Sequence, residues 1–118
     1  MNNQDRIDAL NKALDALNSA ITAVQNALQT ATDPNDILRL NSKLADLQAE
    51  RQNIQFQLAN LGAAAAGIGP ISPDTVAQIN TLSAQLDHAI LNGVTVTATL
   101  DFANTVLAKA SAMRNALA

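Results

Sequence analysis

The 118-residue chain has no cysteine, tryptophan or tyrosine, only two phenylalanines (Phe56 and Phe102) and a single histidine, His88. Without cysteine there is no disulfide framework, no thiolate metal site and no thiol nucleophile, and cysteine usage gives no reading of the redox compartment. Aromatic residues make up 2% of the chain against 48% for all apolar types. A core must therefore come from Leu, Ile, Val and abundant Ala, which lets helices approach closely. No run of about 18 apolar residues exists to span a bilayer. The first residues, MNNQDRID, are polar and lack the apolar stretch of a signal peptide. The default expectation is a cytoplasmic protein. Its wealth of Asn, Gln, Ala and Thr would also suit a subunit exported unfolded, without a signal peptide.

Strong charge of either sign is missing as well. The formal net charge is -3, and the seven Lys and Arg are scattered along the chain. Neither nucleic acid nor a membrane surface is an expected partner. Chemistry-bearing clusters are equally scarce. On a helix, the residues three and four away from His88 are Ala84, Gln85, Leu91 and Asn92, none of them a carboxylate, and Asp87 projects about 100° away. A metal site or a histidine-based triad needs several such groups converging. Asp5 with Asp8, and Asp33 with Asp36, fall in first helical turns, where compensation of the helix dipole accounts for them. The glycine-containing stretch after Leu61 follows no strand and leads to no lysine, so it is not a phosphate loop. No catalytic, cofactor-binding or metal-ligating residue is nominated, and the chain is not expected to be an enzyme.

What the sequence does contain is helical periodicity. Ile7, Leu10, Leu14, Leu17, Ile21, Val24 and Leu28 recur at alternating steps of three and four residues. A second seam runs Ile37, Leu40, Leu44, Leu47, Arg51, Ile54, Leu58 and Leu61. Between them, Asp33-Pro34-Asn35-Asp36 supplies an N-cap, a first-position proline and an acidic first turn. Folding about Pro34 aligns the seams antiparallel in layers, from Leu28 with Leu40 to Ile7 with Leu61. Alanine rows at Ala9, Ala16 and Ala23 and at Ala13, Ala20 and Ala27 widen the first helix's apolar arc beyond a two-stranded seam. At least one further helix is expected against them.

Arg51 is the one charged member of the second seam. An arginine there can lay its methylenes along the core and carry its guanidinium toward Asp15 or Asn18, and a lone polar seam residue can also fix register. The second helix has a weaker apolar stripe on its far side: Leu38, Ala45, Ala49, Phe56 and Ala59. Helices three and four are expected to cover it; the alternative is a subunit interface centred on Phe56.

Glycines and Pro70 mark a Gly/Ala linker over 63–71, which would also permit the second hairpin to pack on a neighbouring subunit. Ser72-Pro73-Asp74 opens a third helix with stripe Val76, Ile79, Leu82, Leu86, Ala89 and Ile90, closed by Asn92-Gly93. Val94 to Thr97 reads as an extended connector, with Thr97 or Thr99 capping a fourth helix that carries Leu100, Ala103, Val106, Leu107, Ala110, Met113 and Leu117. One longer helix kinked at Gly93 is the alternative. The expected fold is all-α. It is a four-helix bundle in one domain over 1–118, with a long antiparallel coiled-coil hairpin over 2–62 and a second helical hairpin over 72–117. The expected function is a non-catalytic protein-protein interaction or self-assembly module, as a homo-oligomer or with another protein. A secreted or phage-associated structural subunit and a binder of small apolar ligands are the alternatives.

Overall fold

Three of the four helices begin where a side chain satisfies a free amide of the first turn. In a computed structural model that describes residues 3–63, 72–88 and 95–117, four α-helices occur: α1 (Asn3–Thr30), α2 (Pro34–Ala63), α3 (Pro73–Asp87) and α4 (Val96–Ala116). The Asp33 carboxylate accepts from the Asn35 amide at 2.8 Å, and its carbonyl accepts from Ile37 at 3.0 Å, so the tight turn at Pro34 is capped as its sequence implies. Ser72 accepts from the Thr75 amide at 3.2 Å ahead of Pro73. Two boundaries differ from expectation. Helix α2 continues through Gly62 to Ala63, and α4 is capped by Thr95, whose hydroxyl accepts from the Ala98 amide at 3.0 Å. Thr99 lies inside α4 instead, its buried hydroxyl donating back to the Thr95 carbonyl at 3.0 Å. Helices α3 and α4 are separate. Most of the linker, the closing Asn92-Gly93, Ala89 and Ile90 lie outside the described residues.

The helices share one buried cluster. Leu10, Leu17, Val24, Leu40, Leu47 and Ile54 are fully withdrawn from solvent, joined by Ile79, Leu82 and Leu86 of α3 and Ala103, Val106, Ala110 and Met113 of α4. The α1 alanine rows are the reason a third helix fits. Ala9, Ala13 and Ala20 are buried and Ala16, Ala23 and Ala27 half-buried, and α4 lies along α1 as extensively as α2 does. Helix α1 touches all three others; α2 also packs on α4, and α3 packs on α1 and α4 but makes no substantial contact with α2.

Directions follow from side-chain neighbours. Val76, Ile79 and Asn80 share a groove with Asp5, Asp8 and Ala9, and further along both helices Asp87 meets Lys12 at 2.6 Å, so α3 runs parallel to α1. Thr97 and Leu100 lie near Leu38 and Lys43, while Arg114 reaches Glu50, so α4 runs parallel to α2. The order is up-down-up-down. The molecule is 51 Å long and 25 by 15 Å across, the flattened section expected when α2 and α3 sit on opposite flanks of a central α1–α4 pair.

Arg51 is only half-buried and donates from Nη1 to the Asn18 side-chain oxygen at 3.2 Å. Its stem lies in a leucine seam and its head reaches the edge. An exposed hydrogen bond of this kind contributes little, whereas a leucine at the same place would remove more apolar surface from water. Arg51→Leu is therefore expected to stabilise the chain by on the order of 1 kcal/mol, raising the melting temperature by a few degrees in calorimetry. A large drop would show that the Arg51–Asn18 contact is needed for folding.

Candidate interaction face

Helix α2 carries three stripes with different fates. The first is the leucine seam, where Leu40, Leu47, Ile54 and Leu61 are buried against the rest of the core. The second comprises Lys43, Glu50 and Gln57, at steps of seven, and it is polar. Helix α4 packs along it. Glu50 is only 6% exposed, and its carboxylate accepts from Arg114 twice, from Nε at 2.5 Å and from Nη2 at 3.3 Å. Asn53 donates to the same carboxylate at 3.5 Å, and Gln57 donates to the Arg114 carbonyl at 3.3 Å. This knot ties α4 to α2 through charge-assisted, two-pronged contact.

The third stripe is apolar and faces outward. Leu38 is 69% and Phe56 68% exposed, and Ala45, Ala49 and Ala59 are exposed as well. The expectation that α3 and α4 cover this stripe is thus overturned. The reason is geometric. Helix α4 settles in the groove beside α1 on the Glu50 side of α2, and α3 lies across the bundle. Among the described residues, Leu38 and Phe56 are the exposed large hydrophobic side chains. The stripe also has a finer pattern: Leu38, Ser42, Ala45, Ala49, Gln52, Phe56 and Ala59 follow at alternating steps of four and three, all exposed. It is a second heptad seam about 150° around the helix from the first.

Among the described residues no comparable cluster brings chemical groups together. His88 is exposed at the C-cap of α3, its amide donating to the Ala84 carbonyl at 3.1 Å. Among the described residues no group of three or more His, Asp or Glu side chains converges as a metal site would require. The Lys12–Asp87, Arg39–Asp36 and Lys43–Asp46 pairs have at least one well-exposed member each and contribute little to stability. The concave features include open grooves of about 550 Å³ between α1 and α3 and about 540 Å³ between α2 and α4. Among the described residues no helix is long and apolar enough to cross a membrane.

Glu50 and Arg114 were not singled out by sequence. Glu50 is the chain's sole glutamate, but its position beside a leucine seam reads as a solvated flank until a third helix is placed there. Comparison with family models, with curated proteins and with solved structures finds no match for this chain.

The Glu50–Arg114 knot makes a specific prediction. Removing one partner leaves the other charge or its hydrogen-bonding groups stranded in a largely dry interface, at a cost of about 2 kcal/mol, below the value for a fully buried pair because Arg114 keeps 28% of its side chain in solvent. Glu50→Leu and Arg114→Leu should each lower the urea midpoint. The Glu50→Leu/Arg114→Leu double variant should lie closer to the parent than either single change. Strict additivity of the two losses would show that the pair is not coupled.

Proposed function

We propose that this chain is a non-catalytic helical interaction module whose binding surface is the outward face of α2. One observation carries this reading: α2 buries the carboxylate of Glu50 against α4 and leaves Phe56 and Leu38 in water. A helix folding only for its own chain's benefit would be expected to do the reverse, because covering Phe56 and Leu38 contributes about 2 kcal/mol each while burying a carboxylate costs free energy that its partners merely offset. An exposed apolar seam rimmed by polar residues is the signature of a surface that meets another protein. Its heptad spacing matches the groove-and-ridge geometry by which one helix receives another.

The flanks of the face agree with a protein partner. Asn41, Gln48, Gln55, Asn53 and Asn60 border it, uncharged and able to donate and accept; Arg39 and Asp46 flank it on α2, and Lys43 of α2 with Asp101 of α4 lines the groove beside Leu38 and Ser42. Such a border suits a polar rim around an apolar centre. It offers neither the basic field that phosphate backbones require nor the cationic border of a membrane-surface helix.

The test compares captured proteins. Immobilised chain should retain binding proteins, or further copies of itself, from a native extract, and Leu38→Glu/Phe56→Glu should lose them at least tenfold while keeping the parent's helical circular dichroism. Identical capture by both forms would reject the α2 face as the binding surface.

A further inference from the structure

We infer that the outward face of α2 docks on the same face of a second copy of this chain, antiparallel, about a twofold axis that crosses between the levels of residues 50 and 51. This rests on the reading of α2 as the interaction surface and adds the identity of the partner and its register. The argument is self-complementarity, which a twofold interface demands because one patch must fit itself. With the axis at that level, Phe56 of each copy falls opposite Ala45 of the other, Ser42 opposite Ala59, and Ala49 opposite Gln52. Each layer thus sets a small side chain against its partner, and the most voluminous exposed residue, Phe56, meets a methyl group. The two helix axes can then stay evenly close along the whole contact.

Competing registers of the same seam fail on size or charge. Moving the axis to the level of Leu47 places Phe56 on Leu38 while Ala45 meets Ala49, so the helices are wedged apart at both ends and hollow in the middle. It also sets Asp46 of one copy beside Asp46 of the other, a like-charge approach that disfavours association. Moving the axis to the level of Ile54 puts Phe56 on the Gln52 amide and leaves Leu38 beyond the contact. A parallel pairing stacks Phe56 on Phe56 and alanine on alanine, again uneven. In the register inferred here, Arg39 lies beside Asn60 and Asp46 beside Asn53 of the other copy. Neither charge meets its like.

The area is adequate for a reversible pair. From Leu38 to the end of α2 the face is about 39 Å long, and a facing strip of that length on both copies buries about 1,000 Å², the lower edge of specific interfaces. The dimer is therefore concentration-dependent. The start of α4 borders one edge of the face, where Leu38 and Ser42 share an open groove with Thr97, Leu100, Asp101 and Asn104; from Ala45 onward α4 lies on the Glu50 side of α2, and α3 lies across the bundle.

Sedimentation equilibrium on the purified full chain tests this over a wide concentration range. The apparent mass should rise from monomer toward twice that value. Phe56→Ala, which strips the anchor, and Ala45→Phe, which sets two rings against each other, should each weaken association about tenfold or more. Both positions are exposed, so circular dichroism should report an unchanged fold. The exchange Ala45→Phe/Phe56→Ala restores one ring against one methyl in both layers that pair positions 45 and 56 and should recover association to within about threefold of the parent. Failure of the exchange to recover it overturns the register. A dimer indifferent to Phe56→Ala overturns the inference altogether. So does a chain that stays monomeric at every concentration. In that case, capture that remains sensitive to Leu38→Glu/Phe56→Glu preserves the α2 face as a surface for a different protein, and capture that is insensitive removes both readings.

Discussion

Leu10, Ala13, Leu17, Ala20 and Val24 of α1 have no solvent exposure at all, and the placement of the other helices follows from covering them. Their arc is too wide for one partner. Leucines on one side of it meet the α2 seam, while alanines on the other bring the α4 backbone close, and α3 fills the remaining flank near the start of α1. Because α1 and α4 take the centre, α2 and α3 are driven to opposite edges. An edge helix has an outer side by construction. In α2 that outer side is apolar, and the exposure of the face proposed as an interaction surface is a consequence of how α1 must be buried.

The Glu50–Arg114 pair belongs to the same logic. Salt bridges in dry surroundings add little net stability, but an alternative docking of α4 that separated these groups would leave a carboxylate without its cation. The pair therefore discriminates between positions of α4 along α2. Its second layer, with Gln57 holding the Arg114 carbonyl near the end of α4, fixes the height of that helix as well as its side. A wholly apolar contact between α2 and α4 would slide more readily, since leucines and alanines one turn apart are nearly interchangeable.

Features set by neighbours in sequence were legible in advance. The two leucine seams, the turn capped by Asp33, and the Ser72-Pro73 start of α3 all depend on contacts within a few residues, so spacing and side-chain chemistry suffice to find them. Where several local solutions compete, the choice was not legible. Thr95, Thr97 and Thr99 can each cap a helix in isolation, and only packing of Thr99 into the core shows that Thr95 is the cap of α4. The sequence places the start of the linker at residue 63, yet α2 runs on to Ala63, one glycine near a helix end being a modest penalty that the buried Leu61 beside it outweighs. The fate of the Leu38–Phe56 stripe and of Glu50 depended on which side of α2 receives α4. A helical wheel gives the angle between stripes and says nothing about which of them a distant helix will choose.

That α2 offers a lone outward seam limits what can be built from it. A patch that fits its own twofold mate is consumed by the union it makes, leaving no sticky surface of the same kind to recruit a third molecule. Growth into filaments or lattices would need a further adhesive region, and among the described residues the exposed large hydrophobic side chains, Leu38 and Phe56, both lie on the seam that the proposed pairing would use. The stoichiometry that the proposed docking implies is a closed pair.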